Sequence, residues 1–533
     1  MTQAAAARPA YLETGWTGGR NPWVIALVVT LATFMEVLDT SIANVSLPHI
    51  AGDLSVTQDE STWVLTSYLV SNAVILPISG WIATKVGRKR FYMSCVTLFT
   101  ISSFLCGVAP SLGWLIFFRV MQGLGGGGLG PSEQAILADT FPPAKRGMAF
   151  AVYGMAVVLA PAIGPTLGGF ITDNFSWRWV FFINIPVGIT SLFLSSRVVT
   201  DPPHLALAKD RAGGIDYWGL SLIAVGLGAL ELVLDKGQEE DWFNSSFIVI
   251  ASVVAAVSLT VFVIWELRHP KPVVDVSLFK NPTFAAANAM MLTLGMALFG
   301  STVLLPQYMQ ILMGYTAQQA GMALSPGGFV VILLLPFVGR MVSRVDPRYL
   351  VAFGFFILSA SMFYMSQRLY QGIDFKHAML LRVYQSAGLA FLFVPINQVV
   401  FAGVPPEKNN AVSGIVNLSR NMGGDIGIAF VTTMIARRSQ AHHADLAVHI
   451  TRFDKPVMDR LDTIAAALQH AGATAPDAAR RATAILYRQV LAQASTLAYL
   501  DVLRILSVIT FLMIPALFLT RRPRIGGAPA GGH

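Results

Sequence analysis

Residues 31–45 read LATFMEVLDTSIANV and place two carboxylates, Glu36 and Asp39, inside an apolar run from Trp23 to Leu47. A run of this length is long enough to cross a bilayer core of roughly 30 Å. Of the 533 residues, 54% are hydrophobic and only 12% are charged, whereas soluble domains carry about 25% charged residues. The composition therefore predicts an all-α polytopic membrane protein.

Apolar runs of similar length recur along nearly the whole chain and predict fourteen transmembrane spans. They cover residues 23–47, 63–83, 91–110, 112–136, 147–170, 178–197, 217–235, 245–266, 283–306, 320–342, 349–367, 379–404, 409–436 and 497–520. The first 22 residues are polar and carry no signal-peptide pattern, so the first span is expected to remain as an anchor.

The distribution of basic residues predicts the orientation, because an even number of spans places both termini on one side. With cytoplasmic termini, the six short outward connections hold only Arg178, Lys236, Arg368 and Lys376 of the 37 Lys and Arg residues. Basic residues concentrate in cytoplasmic loops, so both termini are predicted to be cytoplasmic. The net charge of +8 is then explained by basic residues of the cytoplasmic loops, which lie next to anionic lipid head groups. No nucleic-acid partner is predicted.

The remaining outward connection, residues 437–496, is much longer than the others. Stretches such as PVMDRLDTIAAALQHAG carry apolar residues at helical spacing, which predicts a small helical hairpin or cap.

An internal repeat predicts the domain organisation. RVMQGLG (119–125) and RVYQSAG (382–388) lie 263 residues apart, and the same offset carries FPPAK (141–145) onto VPPEK (404–408). Two related six-span halves are predicted, residues 23–197 and 283–520, with two extra spans in a linker, 198–282. The rest is an N-terminal arm, 1–22, and a tail, 521–533. Transporters with rocking halves are built in this way and bind substrate between the halves.

Several motifs resemble a known family: LDTSIANVSLP (38–48), GWIATKVGRKR (80–90), RVMQGLGGG (119–127), GMAVVLAPAIGPTLGG (154–169) and WRWVFFINIPVG (177–188). Together they resemble the major facilitator superfamily, in its fourteen-span drug:proton antiporter branch of the EmrB/QacA type. In GWIATKVGRKR the family's usual acid is replaced by Thr84. The resemblance implies a major facilitator fold and export of amphipathic drugs across the bacterial inner membrane. Some members of the family work with a periplasmic membrane-fusion adaptor (EmrA-like) and an outer-membrane channel of the TolC type, so the resemblance implies that the 437–496 cap docks such an adaptor. The alternative is a lid that folds back over its own helix bundle.

Two of these motifs contain residues expected to control helix movement. They are Gly80, Gly87 and Arg88 in the loop after span 2, and Gly154, Pro161, Gly164, Pro165, Gly168 and Gly169 in span 5. Glycines let helices approach closely and prolines weaken the helical hydrogen-bond ladder. Static packing and a hinge or seal between the halves are both consistent with this pattern.

The polar residues of span 1 predict a proton-coupling site. Thr33, Glu36, Asp39, Thr40 and Asn44 fall within an arc of about 140° on an ideal helix. The alternatives are acids neutralised by fixed structural partners and a proton or cation site, because an acid facing lipid is costly. Arg119 of span 4 lies at a depth similar to that of Asp39 and is its expected partner. The spacing does not choose between Glu36 and Asp39 as the proton carrier, whereas the resemblance favours Asp39.

Other buried polar residues are candidates to line a substrate pathway. They are Thr33, Asn44, Gln122, Arg382, Gln385, Arg420 and Asp425. Glu231 lies near a predicted helix end, where snorkelling is a sufficient explanation. GLGGGG (123–128) matches G-x-G-x-x-G by letter, but it follows no strand and lies within a membrane span, and no other catalytic, metal or nucleotide-binding motif is present. No enzyme activity and no cofactor are therefore predicted, and the proton gradient is the expected energy source. The alternative functions are a proton-coupled solute symporter or importer on the same fold and a membrane sensor or scaffold.

Overall fold

The computed structural model describes residues 15–203, 205, 216–270, 272–401, 404–451 and 453–520. Most of the predicted N-terminal arm, residues 206–215 of the predicted linker and the whole predicted tail lie outside these residues. Within them, the fourteen predicted spans all correspond to helical segments, which we number in chain order.

Spans 1 to 6 begin and end close to the predicted positions. They are span 1 (Pro22–Asp53), span 2 (Gln58–Val86), span 3 (Arg88–Gly107), span 4 (Leu112–Gly126 and Leu129–Thr140), span 5 (Pro143–Asn174) and span 6 (Trp179–Phe182 and Asn184–Val198). Local sequence explains the starts: the Asn21 side chain accepts a hydrogen bond from Trp23 N, and Thr57 and Glu60 form a reciprocal capping box.

The remaining spans include the two extra helices of the linker. They are span 7 (Tyr217–Lys236), span 8 (Ser246–Arg268), span 9 (Pro282–Met313), span 10 (Ala317–Met341), span 11 (Pro347–Arg368), span 12 (Phe375–Phe401), span 13 (Asn409–Val448) and span 14 (Ala475–Phe511).

Twelve helices in the described part of the chain are long and apolar enough to cross a membrane. The other two of the fourteen spans differ in identifiable ways. Span 4 is interrupted at Gly127 and Gly128, so neither of its pieces is long enough alone. Span 13 carries Arg420, Asp425 and several amides along its length.

The glycine run of span 4 allows that span to pack tightly between spans 2 and 3. A methyl group on Gly125 would lie 2.7 Å from the backbone nitrogen of Phe99, and one on Gly127 would lie 2.6 Å from the carbonyl oxygen of Asn72. Both distances are too short for a carbon contact, so only glycine fits there without movement of the neighbouring backbone.

The predicted cap is helical. Span 13 continues to Val448, a separate helix covers Lys455–His470, and span 14 begins as early as Ala475. The Lys455–His470 helix has no fully buried residue and packs against span 14.

The two halves are joined by side chains at one end of the bundle, which is the predicted cytoplasmic end. Arg88 Nε donates to Asn410 Oδ1 at 2.7 Å, and Asn409 Nδ2 donates to Asp139 Oδ1 at 2.7 Å. Gln398 Nε2 donates to the carbonyl oxygen of Pro143 at 3.2 Å. Each bond joins spans 2 to 5, or their connections, to spans 12 or 13.

Candidate functional site

The expected contact between Asp39 and Arg119 exists. Arg119 Nη1 lies 2.6 Å from Asp39 Oδ2, and the two residues are 0% and 1% exposed. Asp39 Oδ1 accepts hydrogen bonds from Gln122 Nε2 at 3.0 Å and from Asn184 Nδ2 at 2.6 Å. Arg119, Gln122 and Asn184 all donate to Asp39, so both of its carboxylate oxygens act as acceptors.

Arg119 is held from several sides. Its Nε donates to the carbonyl oxygen of Val64 at 3.0 Å, and its Nη1 also donates to Gln122 Oε1 at 2.8 Å. The guanidinium carbon lies 4.3 Å from the ring centre of Tyr68 and 5.6 Å from that of Phe181. Such geometry uses the planar fork of arginine, which lysine lacks.

We therefore expect Arg119→Ala to reduce transport more than Arg119→Lys, and both to reduce it relative to the wild type. Lysine retains the charge opposite Asp39, whereas alanine leaves a buried carboxylate without its cation, at a cost of several kcal/mol. The test compares the transport rates of the wild type and the two variants in vesicles that contain equal amounts of inserted protein. Equal activity of the alanine and lysine variants would show that charge balance with Asp39 is unimportant.

Glu36 has a different environment from Asp39. It is half-buried, and its Oε1 accepts hydrogen bonds from Tyr68 Oη at 3.1 Å and Asn72 Nδ2 at 3.3 Å. Both of these partners are neutral. The cation that acts on Glu36 electrostatically is Arg420, which belongs to the opposite half.

A second acid, Glu133, lies in the same region and was not singled out from the sequence. It is fully buried in the second piece of span 4 and accepts a hydrogen bond from Thr30 Oγ1 at 2.5 Å. Thr33, which is also fully buried, faces the same carboxyl group. Glu133 interacts electrostatically with Glu36 and Arg420. Arg420 of the opposite half is thus a cation that acts electrostatically on both acids.

A chain of hydrogen bonds joins Arg420 to the N-terminal half. Arg420 Nη1 donates to Tyr153 Oη at 2.9 Å, and Tyr153 Oη donates to Asn417 Oδ1 at 3.1 Å. Asn417 Nδ2 then donates to Gln134 Oε1 at 3.0 Å. All four side chains are buried, so this network closes the interface of the halves next to the acids.

Arg382 and Gln385 lie on the other side of the interface. Arg382 Nη1 donates to Gln385 Oε1 at 2.8 Å, as Arg119 does to Gln122. Arg382 lines a cleft between spans 5, 9, 10 and 12, whose walls are otherwise mostly apolar. The structure therefore places two of the predicted pathway residues together.

Asp425 of span 13 lies against the inserted span 7, and its place on the substrate pathway stays a prediction. Its carboxyl group is within hydrogen-bonding contact of Glu231 of span 7, and Asp235 acts electrostatically on both. Glu231 is 1% exposed, so the explanation of Glu231 by snorkelling is wrong. The reason is that span 7 packs against spans 2 and 13, which buries this face of the inserted helix.

The predicted polar face of span 1 does not act as one unit. Asn44 is exposed, and Thr40 Oγ1 donates to the carbonyl oxygen of Val37 in its own helix at 2.9 Å. Span 1 contacts spans 2, 4, 5 and 6, so polar residues one turn apart meet different neighbours.

Most glycines of the span 5 motif make close helix contacts. A methyl group on Gly164 would collide with Ser41, and one on Gly168 would lie 3.2 Å from the carbonyl oxygen of Ile42. Gly154 faces Phe393 of the other half, whereas Gly169 has no heavy atom within 4 Å of the corresponding position. The expectation of close approach is therefore wrong for Gly169. Span 5 stays helical through Pro161 and Pro165, and their role as a hinge stays a prediction.

The loop motif after span 2 is built around Arg88. Its Nη1 lies 2.7 Å from Asp139 Oδ2, so an acid of span 4 supplies the charge that Thr84 lacks. Thr84 Oγ1 instead accepts from Asn410 Nδ2 at 3.2 Å. Gly87 has φ +104°, a conformation that favours glycine, and Gly80 lies against the backbone of Asn410.

Two six-span halves, an interface lined by buried charges and a cleft between the halves define the class of membrane transporters with a central binding region. The family model of the Major Facilitator Superfamily matches residues 29–428. The chain belongs to the Major Facilitator Superfamily.

Named relatives cover most of the chain. The multidrug export protein EmrB of Escherichia coli K12 is 39% identical over 431 residues, which is 81% of this chain and 83% of the relative. The fatty acid resistance protein FarB of Neisseria gonorrhoeae is 37% identical over 517 residues, 97% and 99% of the two chains. The colistin resistance protein EmrB of Acinetobacter baumannii is 31% identical over 507 residues, 94% and 97%.

Two solved structures share the fold. The human organic anion transporter MFSD10 aligns with a TM-score of 0.58 and 13% identity over 93% of this chain and 100% of that chain. The proton:xylose symporter XylE aligns with a TM-score of 0.55 and 14% identity over 93% and 96%. At these identities the likeness concerns the fold alone.

Proposed function

We propose that this protein is a proton-coupled multidrug efflux antiporter that exports amphipathic toxic compounds across the bacterial inner membrane, with both termini in the cytoplasm. The observation that carries the proposal is the set of charged groups at the interface of the halves: half-buried Glu36 and buried Glu133 on one side and Arg420 on the other. The names of the relatives, which include multidrug export and resistance proteins, support the substrate class.

The proposed coupling follows from these charges. Ionised Glu36 and Glu133 attract Arg420 and so favour the contacts that close the predicted cytoplasmic end. Protonation of Glu36 removes part of this attraction, which permits the halves to separate at that end. Asp39 is held by Arg119 in the closed arrangement, and its protonation would release span 1 from span 4. Glu36, Asp39 and Arg119 are thus the proposed coupling residues.

The proton gradient supplies enough energy for this exchange without a cofactor. One charge moved through 100 mV is worth about 2.3 kcal/mol, which sustains roughly a fifty-fold substrate gradient.

Energised everted vesicles test the direction of coupling. Their interior is acid, and drug added outside meets the cytoplasmic face. An antiporter takes drug in and lets protons out, so the interior becomes less acid when drug is added. A symporter or importer on the same fold moves solute and protons the same way. Further acidification of the interior, or no change, would therefore contradict the proposed antiport.

We further propose that the cap docks a periplasmic membrane-fusion adaptor (EmrA-like), which connects the transporter to an outer-membrane channel of the TolC type. The cap exposes large apolar side chains: Phe453 is 97% exposed, Val448 72% and Tyr487 54%. The alternative is a lid that folds over its own bundle. Because the cap is continuous with spans 13 and 14, deleting residues 445–490 also removes helix from both, and surface substitutions are the sharper test.

We expect the triple variant Val448→Ser, Phe453→Ser and Tyr487→Ser to lose drug resistance in cells with an intact outer membrane. The same variant is expected to keep wild-type proton-coupled transport in everted inner-membrane vesicles, because no adaptor is needed there. Phe243→Ser and Tyr370→Ser, which change exposed residues of two other outward connections, between spans 7 and 8 and between spans 11 and 12, serve as the control. Loss of both activities together would favour the lid.

A further inference from the structure

Arg382 is a repeat of Arg119 that lacks its acid. The two arginines lie 263 residues apart, and the residue at the same offset from Asp39 is Thr302. The contacts follow this correspondence: Arg119 bonds to Asp39, whereas Arg382 Nη2 donates to Thr302 Oγ1 at 3.0 Å. A hydroxyl group in the second half therefore occupies the place of the carboxylate in the first.

The charge of Arg382 has no counter-ion in the described part of the chain. Its other hydrogen bonds are to Gln385 and, at 3.0 Å, to Ser301 Oγ, both neutral. Arg382 is 6% exposed, and its Nε and the neighbouring Gln385 Nε2 are buried without a hydrogen-bond partner among these residues. A buried cation without an anion is costly, so a bound anion would be stabilised here.

The surroundings of Arg382 suit the apolar part of an amphipath. Arg382, Thr302 and Ser386 supply the polar part of the cleft, and its apolar walls come from both halves. These are Val158, Pro161 and Ala162 of span 5, and Leu298, Phe299 and Leu324 of spans 9 and 10. A cleft shared by the two halves is where a rocking transporter holds its substrate.

We propose that Arg382 is the recognition site for the anionic head group of exported amphipaths, a carboxylate in particular, with the apolar tail against the span 5, 9 and 10 walls. This proposal rests on the efflux function proposed above and adds a preference for anions. An anionic lipid head group offers the same chemistry, but the cleft includes span 5 of the opposite half, which favours a transported molecule.

Three probes with one tail and different head groups test the proposal: dodecanoate, dodecanamide and dodecyltrimethylammonium. Proton movement on adding each probe is measured with the full-length protein in proteoliposomes, and the signal from protein-free liposomes is subtracted because neutral dodecanoic acid itself carries protons across a bilayer. We expect Arg382→Gln to raise the half-saturating concentration of dodecanoate about tenfold or more, equivalent to about 1.4 kcal/mol. The response to the neutral amide is expected to stay unchanged, because its head group does not need the charge.

Thr302→Asp provides a second and independent variant. This variant introduces the acid that the first half has and keeps the arginine. It should therefore raise the half-saturating concentration of dodecanoate to a similar degree, while the protein still folds. Arg382→Lys should retain part of the anion response. Arg344→Gln, which removes an exposed arginine of the span 10–11 connection, is the matched control and should behave as the wild type.

The outcomes separate this proposal from the function on which it rests. If no probe and no drug moves protons in the wild type, the proposed efflux function fails. If the wild type shows drug-dependent proton movement, but Arg382→Gln and Thr302→Asp change the responses to all three probes equally, the proposed anion site is overturned. A further outcome concerns lipid. If adding phosphatidylglycerol weakens the response of the wild type to dodecanoate but not that of Arg382→Gln, the arginine binds a lipid head group, and the proposed substrate site is overturned.

Discussion

Asp39→Asn abolishes drug-dependent proton movement in energised everted vesicles, while the protein is still inserted in the membrane. Asparagine has nearly the same size as aspartate but cannot exchange a proton. It also leaves Arg119, which is 0% exposed, without its counter-ion. Removing one partner of a buried ion pair costs about 3–5 kcal/mol, so less folded protein is expected as well. The activity is therefore compared at equal amounts of inserted protein.

A double variant separates the chemical role of Asp39 from its structural role. Asp39→Asn with Arg119→Gln removes both charges, and removing both partners of a buried pair costs far less than removing one. The double variant should recover folded protein but not proton coupling. Recovery of coupling would show that Asp39 only balances Arg119 and carries no proton. Asp59→Asn, an exposed acid at the start of span 2, is the control for the substitution itself.

The helices and the Asp39–Arg119 contact could be predicted from the sequence for physical reasons. A membrane span must satisfy its backbone hydrogen bonds within the segment, so apolar length alone indicates a helix. A buried acid and a buried arginine at one depth have few other ways to compensate their charges. The repeat at 263 residues likewise identified Arg382 and Gln385 as the counterparts of Arg119 and Gln122.

Glu133 could not be found in this way because its position depends on the broken helix of span 4. The hydrophobic run predicts an end at residue 136, which places Glu133 close to the surface. The structure continues the span to Thr140, and the glycine-rich interruption lets the second piece pack against spans 1 and 13. The acid is thereby fully buried. A predicted span 4 that extended to about residue 140 would have placed Glu133 inside the membrane and so identified it as a buried acid.

Contacts between the halves and with the inserted spans were also beyond sequence patterns. Helical periodicity shows which residues share a face but not which helix that face meets. The bonds from Arg420 to Tyr153 and from Asn417 to Gln134 cross between the halves, and the Glu231–Asp425 contact depends on where span 7 docks. These contacts are consequences of packing, as is the position of Glu36 within electrostatic reach of Arg420 in the other half.

Glu36→Gln is expected to separate drug movement from proton movement. The amide keeps the hydrogen-bond geometry with Tyr68 and Asn72 but carries neither charge nor proton. Arg420 then faces Glu133 alone. Drug should still equilibrate across the membrane down its own gradient, but an imposed proton gradient should no longer concentrate it, a loss of up to the roughly fifty-fold accumulation that one proton sustains.

The measurement is drug accumulation in proteoliposomes with and without an imposed pH difference. Glu407→Gln, an exposed acid between spans 12 and 13, should accumulate drug as the wild type does. Glu133→Gln should reduce accumulation less than Glu36→Gln, because Glu133 is fully buried and exchanges protons with water less readily. Gradient-driven accumulation by Glu36→Gln at the wild-type level would show that Glu36 carries no coupling proton and would leave Asp39, which is paired with Arg119, as the coupling acid of this site.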